Sequence, residues 1–141
     1  MDRVDALLAA LLAETRGSRV TLRQDVPGPD AFPVTHEALA PDAASLREER
    51  SVDLRTQPVV REILLGRQVV QDDCRAAYPD EAFQRMLDAY GGLAAQIVTP
   101  ILREGRVVAI LSLHRLGTPH RWPAEAIAAA THTAAEIGEL L

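Results

Sequence analysis

Residues 93–115 read LAAQIVTPILREGRVVAILSLHR, two apolar runs of about ten residues on either side of Glu104-Gly105, which is the pattern of two long strands joined by a two-residue turn. If Arg103 faces Arg106 across that turn, the pleat assigns every other side chain. One face then carries Gln96, Val98, Pro100 and Leu102 with Val107, Ala109, Leu111 and Leu113. The other carries Ala95, Ile97, Thr99 and Ile101 with Val108, Ile110, Ser112 and His114. Both faces are mainly apolar and both need cover, so the hairpin is expected at the centre of a three-layer arrangement and not at an edge.

The flanking sequence supplies those covers. On the N-terminal side, Val4, Leu7, Leu8, Leu11 and Leu12 recur at helical spacing, with Gly17 as a stop. Arg19 to Gln24 (RVTLRQ) alternates Val20 and Leu22 with polar residues, as a strand with one buried face does. Val26-Pro27-Gly28-Pro29-Asp30 turns the chain, and Phe32 to Ala38 returns as a second strand. Residues 39–52 carry little periodic signal. A helix is expected after Thr56 with Pro58 in its first turn, then a short strand at Gln68–Gln71. A helix from Asp80 places Phe83, Met86, Leu87 and Tyr90 on one stripe before Gly91-Gly92. After the hairpin, Trp122-Pro123 opens a last helix with Ile127, Ala130, Ala134, Ile137 and Gly138 on one side.

Length and charge narrow the function classes. A chain of 141 residues is long enough for one core, and the whole of 1–141 is expected to form a single domain. All fifteen basic residues are arginine, and lysine and asparagine are absent. The net charge of −5 is spread along the chain without a basic, aromatic-interleaved patch, so no nucleic-acid partner is expected. No apolar run has the length of a membrane span and no signal-peptide pattern opens the chain, so no membrane association and a cytoplasmic location are expected. The four histidines are scattered, without the spacing of a metal site. Cys74 is the only cysteine, no phosphate-binding glycine loop or nucleophile-elbow motif occurs, and no catalytic residue or cofactor is expected.

The phrase Thr99-Pro100-Ile101-Leu102-Arg103-Glu104-Gly105-Arg106-Val107-Val108-Ala109-Ile110-Leu111-Ser112-Leu113, with the Trp122-Pro123 start and the alanine-rich last helix, resembles the closing third of a GAF domain. The resemblance implies an α+β, PAS-related fold: a central antiparallel sheet of five or six strands, the N- and C-terminal helices on one face, and short helices and loops over a pocket on the other. It also implies a sensory or regulatory module that encloses a small molecule, and a homodimer built from terminal helices. The cyclic-nucleotide branch has a signature containing asparagine and lysine, and both are missing here. Bilin-binding members attach the pigment to a cysteine usually followed by histidine, whereas Arg75 follows Cys74. The branch that reduces free methionine sulfoxide needs several cysteines.

The resemblance directs attention to the polar residues of the middle segment and of one hairpin face. Arg55 and Gln57 flank the helix start near Pro58, either as an anion site or as a solvated helix end. Cys74 is a small buried hydrophobe or a pocket thiol. Tyr78 and Tyr90 offer aromatic faces and hydroxyls. Thr99, Ser112 and His114, placed together on one face by the expected register, complete the candidate ligand-binding set. A non-sensing dimeric interaction module and a redox enzyme using Cys74 are the alternatives.

Overall fold

The computed structural model describes residues 2–141. Helix α1 (Arg3–Thr15) starts where Asp2 accepts the Val4 N–H at 2.6 Å and stops at Arg16, which takes a left-handed conformation with φ 55°. Strands β1 (Arg19–Gln24) and β2 (Val34–Leu39) follow, then a 3-10 turn at Leu54–Thr56 leading into α2 (Pro58–Leu64), where Pro58 fits the first turn because a helix start needs no N–H there. Strand β3 (Val69–Gln71), a second 3-10 turn (Cys74–Ala76) and α3 (Glu81–Ala89) lead to the long strands β4 (Leu93–Arg103) and β5 (Arg106–Leu116). Helix α4 (Ala124–Leu140) closes the chain, with Pro123 as its N-cap. Residues 40–53 contain neither helix nor strand, in line with their weak pattern.

The sheet has five antiparallel strands in the order β2-β1-β5-β4-β3, which puts the hairpin inside it. At the turn both Glu104 (φ 52°) and Gly105 (φ 78°) have positive φ, as a tight two-residue hairpin requires. Arg103 does face Arg106, but the pairing then shifts: Leu102 pairs with Val107 and Ile101 with Ala109, leaving Val108 without a partner. This β-bulge moves the rest of the ladder by one residue. Thr99 consequently pairs with Leu111, Val98 with Ser112 and Gln96 with His114. The expected grouping of Thr99 with Ser112 and His114 is therefore corrected. Thr99 belongs to the opposite face, where it accepts the Gln68 Nε2–H at 3.0 Å.

One face packs against α1 and α4 through Val4, Leu8, Leu11, Val20, Leu22, Ile97, Leu111, Leu113, Ala130, Ala134 and Ile137. Small residues bring α4 close: a Cβ at Gly138 would lie 3.3 Å from Ile101 Cγ2. The other face is covered by α2, α3 and the 40–53 segment, with Leu46, Val59, Ile63, Cys74, Phe83, Met86 and Leu87 against Val98 and Ile110. Trp122 ties the α4 start to β3, donating from its ring Nε1 to the Gln71 carbonyl (3.1 Å) and from its backbone N to Asp72 Oδ1 (3.0 Å). No helix among the described residues is long and apolar enough to cross a membrane.

Candidate functional site

The observed register arranges the covered sheet face as a small grid. Arg19, Thr21 and Arg23 alternate along β1; Thr21 lies opposite Ser112, and Arg19 opposite His114, which is in turn opposite Gln96. On the far side of β1, Glu37 is the partner of Thr21. A row Glu37–Thr21–Ser112–Val98 thus crosses four strands, with Arg19–His114–Gln96 beside it. Directly opposed side chains in such pairs have Cβ atoms roughly 4.5–5.5 Å apart, close enough to act on one ligand.

Arg19 is fully buried, at 0% exposure. Its Nε–H donates to His114 Nδ1 (3.0 Å), Nη1 to the Ala44 carbonyl (2.8 Å) and Nη2 to the Tyr90 carbonyl (2.8 Å). Burial lowers its guanidinium to about 10, with the Glu37 carboxylate acting in the opposite direction. Burial, then Arg19 and Arg23, holds His114 well below the usual imidazole range, so it is neutral near pH 7. Because Nδ1 accepts from Arg19, the proton of neutral His114 is assigned to Nε2. The Tyr90 ring stacks on His114 at 6.2 Å and lies 6.0 Å below the Arg19 guanidinium. The Tyr90 hydroxyl accepts from Arg23 Nη2 at 3.2 Å, which leaves its own hydrogen free to donate, and burial keeps the phenol protonated.

Between this face and α2 and α3 lies a cavity of about 50 Å³. Its polar lining is Thr21, Arg23, Gln57, Tyr90, Gln96, Ser112 and His114, and its apolar lining includes Val59, Ile63, Met86, Val98 and Ile110. Two buried atoms in the described residues have no hydrogen-bond partner within the protein, Thr21 Oγ1 and Gln57 Oε1, and both residues line this cavity. Thr21 is 1% and Gln57 3% exposed. Buried polar atoms are rarely left unpaired, so these two call for a hydrogen-bonding partner in the cavity, either water or a ligand. An outer cavity of about 260 Å³ shares Arg23, Leu54 and Tyr90 with the inner one and carries Asp30, Glu49, Arg50 and Asp53. Arg23 and Tyr90 therefore form the partition between inner space and outer bowl.

Of the residues expected from the sequence, Gln57, Tyr90, Ser112 and His114 come together at the inner cavity. Arg55 does not join them: its side chain is 84% exposed, pairs with Asp53 at 3.1 Å, and faces the outer cavity. Its guanidinium is already taken and no anion site forms at the short α2. Cys74 is a core residue with 0% exposure, and burial, reinforced by Asp73, pushes its thiol up to about 12. Tyr78 packs edge-on against Phe83, ring centroids 5.1 Å apart, and turns away from the cavity. Thr99 is on the α4 side, as described. Arg19, Thr21, Arg23 and Gln96 were not anticipated. The signal for the first three was present in RVTLR: a strand whose polar face must also be buried if both faces of the sheet are covered. Among the described residues no cluster of three His, Cys, Asp or Glu side chains is suited to a metal ion.

The fold has many relatives of known structure. The third GAF domain of Slr1393 from Synechocystis sp. PCC6803, in its photoproduct state, superposes with a TM-score of 0.80 at 15% identity over 96% of this chain and 89% of that one. The blue-light-absorbing form of the PixJ GAF domain from Thermosynechococcus elongatus gives 0.71 at 20% identity, over 98% and 86%. The chromophore-binding domain of the bacteriophytochrome RpBphP3 from R. palustris gives 0.77 at 15% identity, over 97% of this chain and 52% of that one. At these identities the likeness is one of fold. No curated protein matches the sequence. The GAF domain family model matches residues 2–141, all but the first residue. With the sheet order, the two helical layers and the hairpin motif in agreement with that match, the chain belongs to the GAF domain family.

Proposed function

We propose that this protein is a small-molecule-binding sensory or regulatory domain that encloses a metabolite between the Thr21–Ser112–His114 face and the α2–α3 layer, and passes occupancy on through α1 and α4. The observation that carries the reading is the pair of buried, unpartnered atoms, Thr21 Oγ1 and Gln57 Oε1, on one cavity. A vestigial core would gain by replacing such groups with apolar ones, since an unsatisfied buried group costs about 1–3 kcal/mol. The route outward is short because α1 and α4 pack on the reverse side of the same strands. In the manner of the family, we place a homodimer at these helices, which light scattering at micromolar concentration tests.

The cavity volume bears on ligand size. A cavity of about 50 Å³ exceeds the roughly 10–15 Å³ needed for a single water and suits a small metabolite. A tetrapyrrole would require the α2–α3 layer to lift away, and Cys74 is sealed in the core. A thiol-dependent redox activity also lacks support, because a buried thiol near 12 supplies almost no thiolate. Native mass spectrometry and titration calorimetry against a panel of small metabolites test the reading. Binding by one member, with chemical-shift changes at Val98, Ile110 and His114, is the expected outcome. If no member binds, and Thr21→Val and Ser112→Ala each raise stability, the cavity is vestigial and the interaction-module alternative stands.

A further inference from the structure

We propose that the inner cavity selects a short-chain carboxylate, of two to four carbons, with its carboxylate on the Thr21–Ser112 row beside Arg23 and the His114 Nε2–H, and its alkyl part against α2. The proposal rests on the enclosed-ligand reading above and names the chemical class that the cavity accepts.

Thr21 Oγ1 is buried with no partner, and the Ser112 hydroxyl, the Tyr90 hydroxyl hydrogen and the His114 Nε2–H have no acceptor among the described residues. Three hydroxyls and one imidazole N–H thus line a cavity whose other unused side-chain atoms are the carbonyl oxygens of Gln57 and Gln96; the Gln96 amide donates to Gln71 Oε1 at 2.8 Å. Hydroxyls turn either way, but the imidazole proton does not. A group that mainly accepts satisfies this surface, and a hydroxyl on the ligand would answer Gln57.

Charge points the same way. Thr21 is bracketed on its own strand by Arg19 and Arg23, and Arg23 lines the cavity. The carboxylate on this sheet face, Glu37, is already engaged: its Oε1 accepts from Ser45 Oγ at 2.5 Å and its Oε2 from the Leu46 N–H at 2.7 Å. Glu49 lies toward the outer cavity, its Oε1 taken by the Ser51 N–H and hydroxyl. The lining of the inner cavity holds Arg23 and no carboxylate, so a cationic ligand there would meet only like charge, whereas an anion meets a guanidinium and oriented donors.

Size and polarity set the upper limit. A cavity of about 50 Å³ suits acetate to butyrate better than nucleotides or aromatic acids. Val59, Ile63 and Met86 offer nothing to a fully hydrated inorganic anion, so half of the cavity would be mismatched to phosphate.

Titration calorimetry on the full chain with propionate, lactate, propanamide and inorganic phosphate tests the proposal. Propionate or lactate is expected to bind at least about tenfold more tightly than propanamide, a difference of about 1.4 kcal/mol. Phosphate is expected not to displace it. Thr21→Val and Arg23→Gln should each weaken carboxylate binding by about tenfold or more with an unchanged circular dichroism spectrum. Equal binding of propanamide, or displacement by phosphate, overturns the carboxylate assignment. So does a flat carboxylate titration when a neutral member of the broader metabolite panel shifts the Val98 and Ile110 signals, and in that case enclosure of a ligand survives. Silence from every compound in both panels removes the two readings together.

Discussion

Replacing Arg19 by methionine keeps an unbranched side chain of similar volume in a fully buried position and deletes three hydrogen-bond donors. His114 Nδ1 and the Tyr90 carbonyl are left without donors in the interior, while the Ala44 carbonyl lies in a more exposed segment that water reaches. Each buried orphan costs about 1–3 kcal/mol, and relief of the guanidinium's desolvation returns part of the loss. A net destabilisation of about 3 kcal/mol is expected. At about 2–4 °C per kcal/mol for a chain approaching this length, Tm should fall by roughly 6–12 °C. Urea unfolding followed by circular dichroism reads the first quantity, with an unchanged m value showing that the native surface is intact. Imidazole NMR supplies a second readout, since loss of the Arg19 charge should raise the His114 pKa toward its ordinary value while burial still holds it down. Arg19→Lys retains the charge but not the three-way fork, and should recover little of the loss. An Arg19→Met protein as stable as the parent, or more so, would refute the idea that this guanidinium supports the site.

Three further outcomes follow from the same geometry. His114 is neutral in the fold, and an unfolded histidine titrates near about 6.5. As pH falls below that value the unfolded chain gains a proton that the native one refuses, so stability should hold above pH ~6.5 and decline between pH ~6.5 and ~5 at up to about 1.4 kcal/mol per unit. The decline should be shallower in His114→Gln, as denaturant melts at several pH values would show. Cys74 should resist iodoacetamide in the native state and react on unfolding, because its thiol is buried and its pKa lies near 12; labelling at the native rate of a free thiol would contradict its place in the core. Gly105→Ala should cost about 1 kcal/mol in chemical denaturation, since alanine is strained at φ 78°.

Most of the scaffold was readable in the pattern of residues. Helical stripes located α1, α3 and α4, and the Glu104-Gly105 turn located the hairpin. The site was only half readable, for two physical reasons. Val107 to Leu111 is a continuous apolar run, and where both faces are buried there is no alternation to betray an extra residue. The Val108 bulge is therefore invisible in the sequence, and a bulge-free register groups Thr99 with the wrong partners. The arginines of β1 were misplaced by a good general rule, that charged residues alternating with Val20 and Leu22 face water. The α2–α3 layer overrides the rule here, and Arg19 is accommodated only because two backbone carbonyls and an imidazole receive it. Gln57 and Tyr90 were easier, one by its place before Pro58 and the other as the last residue of an amphipathic stripe.

The Gln96 side chain touches the cavity on one side and Gln71 on the other, and the backbone of Gln71 holds the indole of Trp122 just before α4. Such a chain of contacts has no preferred direction. If a partner on α4 changes the affinity of the cavity for a ligand, thermodynamic reciprocity requires the ligand to change the affinity for that partner by the same factor. For a coupled pair, the ratio of the small molecule's binding constants with and without the partner would be the strength of the signal.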